Sequence, residues 1–368
     1  MTKAAELAKM GEVLTNGQIG GRRNIVINGA MQVAQRATSV TGIGAASGYF
    51  TLDRMQILQA ATAGRLTMTQ TADGPSGFAN CLKLDCTTAD TSIAAAEFLA
   101  ITHRIEGQDL QQIKKGTSDA EKVTISFYVK GNASATYMLE VKDSDNTRLN
   151  HNQFAVTTDW TRIVITLNAD TTGAFDDDNA LSLELSFLLH GGSNFTSGTY
   201  TANTWAGQTN ANRAVGITSF FDSTNRTFFL TGLQLEVGSV ATPFESRSFG
   251  EERQLCYRYF YTMKAATAFM KVGHGRAYNT SNTTATYPVP VPMRANPTGS
   301  VSANDDFGVA GESAGGTTGT SAAAETMDDF SRFAINVTRS GADLTAGTIY
   351  QVEADNNTDM RINLDAEL

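Results

Sequence analysis

The sequence predicts a mainly β protein: two antiparallel β-sandwich, jelly-roll-like domains joined by a short helix, with a short N-terminal helical arm. Three observations lead there. Apolar residues alternate with period two through many short segments, the pattern of strands buried on one face. Turn residues separate those segments at short intervals, as in sandwiches and jelly rolls. Charged residues make up only 18% of the 368 positions, and Thr, Ser, Asn and 33 Gly fill the deficit, a bias common in β-rich chains.

The arm comes first. In "KAAELAKMGEVL", Ala4, Leu7, Ala8, Met10 and Leu14 recur at helical spacing. A helix this short is marginal alone in water, so residues 1–20 are expected to dock on something else. The segment "NIVINGAMQVAQR" opens a β region that spans 21–246, followed by "GYFTLDRMQILQA" and "GRLTMTQT". "KVTISFYVKG" puts Val123, Ile125, Phe127 and Val129 on one face, and "TRIVITL" does the same with Ile163, Ile165 and Leu167. "LSLELSFLLH" alternates strictly, with Leu181, Leu183, Leu185, Phe187 and Leu189 inward, and "RTFFLTGLQLEV" closes the region. A helical insert is expected near "SIAAAEFLAITHRIEGQDLQQI", although its later half reads equally well as a strand.

A connecting helix is expected within 247–264. Ser248 and Glu251 have the spacing of a capping box, in which each side chain satisfies a backbone N–H at the other's position. Leu255, Cys256, Tyr259 and Phe260 then share one face of a helix of roughly 12–14 residues. Residues 265–368 are expected to form a second sandwich. Pro288, Pro290, Pro292 and Pro297 keep part of it at a sheet edge. The Gly/Ala/Thr/Ser stretch 303–329 is expected to be an exposed excursion. "GTIYQVEAD" and "MRINLDAEL", joined by "NNTD", read as a hairpin.

Composition excludes several functions. The 28 basic and 37 acidic residues give a net charge of −9, and no basic cluster of the kind that displaces phosphate counterions is present. No nucleic-acid partner is expected. No apolar run approaches the length of about 18 residues needed for a membrane helix, and no apolar signal-peptide core is present, so no membrane insertion is expected. Three cysteines make no disulfide framework. Cys81 and Cys86, five apart on a strand, should face opposite ways.

The motifs that carry chemistry fail on context. "GESAG" (311–315) matches a nucleophile elbow but lacks the strand, the helix and a later histidine. His103, His151, His190 and His274 have no metal-ligand spacing. "DSDNTRLNHNQF" departs from a calcium loop at Arg148 and Phe154. Asp176, Asp177 and Asp178 in "FDDDNA" are the cation candidates, because adjacent carboxylates repel unless solvated or neutralised; a structural Ca is the one cofactor to consider. Glu184 and Glu236 alternate with Leu and are expected to face solvent or a subunit contact, not to form a catalytic pair. No catalytic residue is assigned. Sugar binding needs aromatic rings at the surface, and Trp205, with Tyr200 nearby, is the candidate. Trp160 reads as a residue at the core's edge.

Taken together, "RRNIVINGAMQVAQRATS", "GYFTLDRMQI", "FFLTGLQLEVGSVATPFESRSFGEERQLCYRYFY", "YPVPVPMRANPT" and "INLDAEL" resemble tail-fibre-like structural proteins of tailed bacteriophages of the marine and cyanobacterial type. The stretch 123–167 resembles a carbohydrate-binding-module jelly roll. The resemblance implies a virion protein, usually a homotrimer, sited on the tail or the capsid surface, and it supplies no catalytic residues. The long repetitive shaft of extended fibres is absent from this sequence. The expectation is a non-enzymatic tail fibre or tail-associated host-recognition protein, made in the host cytoplasm and carried in the phage particle. Its partners would be other virion proteins, through the arm, and a host surface glycan. Tyr257, Tyr259, Phe260 and Tyr261, more aromatics than one helix face can hide, are the trimer and hinge candidates. A capsid decoration or head-fibre protein is the alternative, and a polysaccharide depolymerase the next.

Overall fold

The computed structural model describes residues 2–8, 22–311, 314–326, 330–339 and 341–368. The chain divides into two compact units, Met1–Glu252 with Leu368, and Arg253–Glu367. It is mainly β and its sheets are antiparallel, as the alternation predicts. Residues 3–8 of the arm are helical and exposed; positions 9–20 lie outside the described residues. Among the described residues no helix is long and apolar enough to cross a membrane.

In chain order the strands of the first unit are β1 (Ser39–Ile43), β2 (Gly48–Tyr49), β3 (Gln56–Ala60), β4 (Arg65–Thr71), β5 (Cys81–Thr88), β6 (Phe98–Glu106), β7 (Val123–Gly131), β8 (Ala135–Asp143), β9 (Arg148–Val156), β10 (Thr161–Leu167), β11 (Leu181–Gly191), β12 (Ala206–Gly207) and β13 (Thr227–Val237). They make a six-stranded sheet, β1-β4-β5-β13-β7-β10, and a seven-stranded sheet, β12-β9-β8-β11-β6-β3-β2. The inward residues of both sheets meet in one core. Ile125, Phe127 and Val129 of β7 share it with Leu183, Leu185, Phe187 and Leu189 of β11. The Phe127 ring stands edge-on to Phe187 at 5.0 Å and to Phe154 at 5.2 Å, the offset geometry aromatic quadrupoles favour. The β13 ladder slips between Thr231 and Gln234. Gly232 sits there at φ +62°, where a Cβ would meet Phe78 at 2.7 Å.

Several expectations for this unit are corrected. "NIVINGAMQVAQR" forms no strand; it is an irregular, largely buried segment with Asn28 and Met31 at positive φ. The expected helical insert is β6 followed by two single 3-10 turns, Gly107–Asp109 and Gln111–Ile113. Glu184 and Glu236 do not face solvent, because β11 and β13 are buried on both faces. Glu184 bonds Arg104 and Ser186, whereas Glu236 accepts from Gln234 and from the Thr242 amide and hydroxyl. The two carboxylates sit in separate networks. Cys81 and Cys86 are unbridged and buried, and only Cys86 belongs to the main core. Burial pushes both thiols up to about 11.

The second unit carries β14 (Phe260–Lys264), β15 (Lys271–Ala277), β16 (Asn282–Pro288), β17 (Thr298–Val301), β18 (Phe307–Gly311), β19 (Ala314–Thr326), β20 (Arg332–Arg339), β21 (Ile349–Ala354) and β22 (Arg361–Asp365). β15-β16-β20-β19-β18-β21 close into a barrel, and β14-β22-β17 form a separate sheet. This unit is therefore closed further than an open sandwich. The expected excursion at 303–329 is largely β18 and β19. A strand of Gly, Thr and Ala fits where its neighbours bring the bulk: Phe307, Tyr287 and Phe333 fill the core, with Tyr287 stacked on Phe333 at 5.3 Å. The two central residues of "GESAG", Glu312 and Ser313, lie outside the described residues. β21 and β22 form no hairpin, since β21 joins the barrel and β22 the small sheet.

Candidate functional site

The segment 232–257 gains its meaning from Asn24 and Asn28. The Asn24 side chain donates to the Leu233 carbonyl and accepts from Leu235 N–H, while its own N–H donates to Glu245 at 2.7 Å. Asn28 N–H donates to Glu252 at 2.5 Å. Arg247 reaches the Val26 carbonyl at 3.0 Å and pairs with Glu252 at 3.3 Å. The two stretches "NIVIN" and "GLQLEVGSVATPFESRSFGEE" are thus a single buried polar joint. Ser248 Oγ accepts from Glu251 N–H at 3.3 Å, one limb of the expected capping box, and the Glu251 carboxylate turns to Arg22.

The helix that follows spans Phe249–Tyr257, shorter than expected. Tyr259, Phe260 and Tyr261 leave it: Phe260 and Tyr261 pair with Asp365 and Leu364 of β22. β-Favouring aromatics beside an available strand outcompete helix propagation. Tyr259 and Phe260 are buried within the chain. Tyr257 and Tyr261 stay half-buried, in edge-on contact at 5.2 Å.

Trp205 and Tyr200 lie along the same strand, β9, but on opposite faces of its sheet. Tyr200 packs on an outer cluster of Phe98, Ala100, Met138 and Leu188, and its hydroxyl accepts from Gln153 N–H at 3.0 Å. Trp205 packs on the inner core and donates Nε1–H to the Asn168 carbonyl at 2.9 Å. Both rings are half-buried, and they form no common platform.

Beneath Trp205 lies a buried cation. Lys115 Nζ is 5.5 Å from the Trp205 ring centre and 5.3 Å from that of Phe175. Its ammonium contacts Asp143 Oδ2 at 2.5 Å, Asp170 Oδ2 at 3.1 Å, and the carbonyls of Thr172 and Gly173 at 2.8 and 2.7 Å. Burial alone would raise the Asp170 carboxyl, but bonds from Arg148 and Lys115 hold it below its ordinary value. An open cavity of about 370 Å³ adjoins Lys115 and Phe175. Asp176, Asp177 and Asp178 lie nearby in sequence but are exposed. Asp176 N–H donates to Asp145, and Asp178 accepts from Ala180 N–H, so these residues shape a turn. Among the described residues no three His, Cys, Asp or Glu side chains come together to hold a metal.

Two arrangements escape the sequence reading. The first is on the outer face of the six-stranded sheet. Phe229 pairs in register with Lys83 on one side and Lys130 on the other. Lys130 Nζ lies 4.7 Å from the Phe229 ring centre and 5.3 Å from that of Trp160, and bonds Asp73 at 2.7 Å. Trp160 therefore stands on this outer face, half-buried, and not at the core's edge. The second is a Ser–His–Glu line. His190 Nδ1 is 2.8 Å from Ser219 Oγ, and Nε2 is 3.0 Å from Glu97. Ser219 Oγ also accepts from Phe221 N–H, and the imidazole is fully buried beside the Phe221 ring. Here the serine caps a turn. Both depend on registers and loop closures that span dozens of residues and leave no local motif.

No family model and no curated protein matches the sequence. Solved structures to which the chain shows some similarity include a CBM4 structure at 12% identity and TM-score 0.32, covering 58% of this chain and 99% of that one. The enzymatically active domain of bacteriophage CBA120 tailspike protein 4 is similar at 11% identity and TM-score 0.29, covering 58% of this chain and 21% of that one. A family 11 carbohydrate-binding module from Clostridium thermocellum, in complex with a mixed-linked tetrasaccharide, has 11% identity and TM-score 0.27, covering 56% and 99%.

Proposed function

We propose that this chain is a non-enzymatic structural protein of a bacteriophage virion, a tail fibre or tail-associated protein that meets the host surface and assembles as a homotrimer. The observation that carries the reading is the Asn24–Asn28–Glu245–Arg247–Glu252 joint. Two of the segments that resemble tail-fibre-like proteins are far apart in sequence yet joined here: the amides of Asn24 and Asn28 meet the carboxylates of Glu245 and Glu252, and Arg247 reaches the Val26 carbonyl. Antibody labelling of intact particles tests it. Label on the tail is the expected result, label on heads favours a capsid decoration protein, and label on neither sinks the proposal. Light scattering in solution should give three chains per particle; a clean monomer would remove the trimer, whose aromatic argument now narrows to Tyr257 and Tyr261.

The glycan contact in this reading falls on a surface ring. Trp160 stands on the outer face beside Phe229, with Lys130 5.3 Å from its ring centre and Lys83 5.6 Å from that of Phe229, whereas the Trp205 ring packs on the inner core. A glycan array should show binding by the wild type and loss in Trp160→Ala. Loss in Trp205→Ala with Trp160→Ala unaffected would return the site to the loop. Release of new reducing ends from host polysaccharide would replace the binding role with depolymerisation.

A further inference from the structure

The Lys115 ammonium sits in a cage of oxygen atoms with the donor set of a hard divalent cation. Two carboxylates, Asp143 and Asp170, and two backbone carbonyls, Thr172 and Gly173, converge on Nζ within 3.1 Å. Carboxylate and carbonyl oxygens are what Ca²⁺ selects, at six to eight ligands with water making up the number. The cage is built by the fold. Gly173 lies at φ +72°, and a Cβ there would meet the Asn146 side chain at 2.4 Å. Asn146 in turn donates its N–H and side-chain amide to Asp143. Arg148 grips Asp170 with both arms of its guanidinium, at 2.8 and 3.0 Å.

The resident cation is the observation that goes beyond a pair of acids. The Lys115 side chain is 2% exposed and that of Asp143 is fully buried. Burying a charge is costly unless it is paired and fully hydrogen-bonded. Here the ammonium has two carboxylates, two carbonyls and two aromatic rings around it. We propose that Lys115 occupies the seat of a structural divalent cation. The ammonium ties the end of β8 to residues 170–173 without metal, and removing the lysine side chain uncovers a Ca²⁺ site. A small cavity of about 20 Å³ lined by Lys115, Asp170, Phe175 and Trp205 adjoins the seat, and the larger one reaches Lys115 and Phe175.

The probes are Ca²⁺, Mg²⁺ and Tb³⁺ on the full chain. Trp205 lies close enough to the seat to sensitise Tb³⁺ emission. Lys115→Ala should give sensitised emission at least tenfold above wild type. The signal should disappear in Lys115→Ala/Asp143→Asn, and Trp205→Phe in the Lys115→Ala background should dim it. Ca²⁺ should raise the melting temperature of Lys115→Ala by roughly 5 °C or more, by mass action on the folded state. Mg²⁺, which demands tighter octahedral geometry, should do much less. Lys115→Met, which fills the seat with an apolar chain, should stay silent. Wild type should melt identically in Ca²⁺ and in chelator. If Lys115→Ala is folded yet indifferent to Ca²⁺, or stays unfolded with and without it, the proposal is wrong. Equal emission from wild type, which would place Tb³⁺ elsewhere on the surface, also overturns it.

Discussion

The backbone N–H of Asn28 donates to the carboxylate of Glu252 at 2.5 Å, across 224 residues of sequence. The same carboxylate pairs with Arg247, and the two side chains are only 8% and 6% exposed. Glu252→Ala would leave the buried Arg247 guanidinium with Glu245 at 3.7 Å as its charge partner and Asn28 short of an acceptor, a loss of about 3 kcal/mol. Glu252→Gln keeps an acceptor and should cost roughly 1–2 kcal/mol. Both tryptophans, Trp160 and Trp205, lie in the first unit, so denaturant unfolding followed by tryptophan fluorescence reads that unit alone. Equal losses for the two variants would show that the charge is irrelevant to the joint.

The two tryptophans should separate in stability. Trp205→Ala removes a ring packed on the core and on Lys115 and is expected to cost about 2–4 kcal/mol. Trp160→Ala, on an outer face, is expected to cost about 1 kcal/mol or less. Urea midpoints followed by circular dichroism give the comparison, and a reversed order would contradict the packing described for the pair.

His103 should tilt stability at mildly acidic pH. Burial, with the Arg54 charge beside it, pushes its pKa well below 6.5. The unfolded residue still titrates near 6.5, so below that pH the unfolded chain binds a proton the folded chain refuses. Stability is full above this value and falls with decreasing pH, by up to about 1.4 kcal/mol per pH unit for one such group. In His103→Gln the slope just below pH 6.5 should flatten, as read from denaturation midpoints. An unchanged slope would assign the effect to another group.

Glu140 governs a more acidic limb. Burial pushes its pKa up, but bonds from His151 and Arg213 outweigh that and hold it below 4.5. Its contribution is present above 4.5 and is lost as pH falls through the lower folded value. Arg213→Met removes the bidentate partner at 2.6 and 2.8 Å. Acid unfolding should then begin at higher pH than in wild type, by circular dichroism; a coincident acid midpoint would count against the pair.

The fold was legible where one strand face is lined with large apolar residues. Val123, Ile125, Phe127 and Val129 mark β7 without help from context, and Leu183 to Leu189 mark β11. Legibility failed where the determining contact is distant. Nothing local tells that "NIVIN" is held irregular by Glu245 and Glu252, or that Tyr259–Phe260–Tyr261 meets β22 and leaves the helix. β19 was missed because its small residues borrow their bulk from Phe307, Tyr287 and Phe333. The surroundings of the two tryptophans were misjudged for the same reason. The pairing of β13 with β5 and β7 puts Trp160 beside Phe229 on an outer face, and the seating of the 200–207 loop on β9 puts Trp205 on the inner core.

The small sheet β14-β22-β17 has β22 at its centre, about a hundred residues downstream of β14. On a ribosome adding roughly 5–20 residues per second, β14 therefore waits on the order of 5–20 s for the strand that pairs with it. During that interval Phe260 and Tyr261 have no β22 to cover them. The order of synthesis leaves an adhesive strand uncovered next to other nascent copies of the same chain, and this interval is where a folding helper or a premature partner would act.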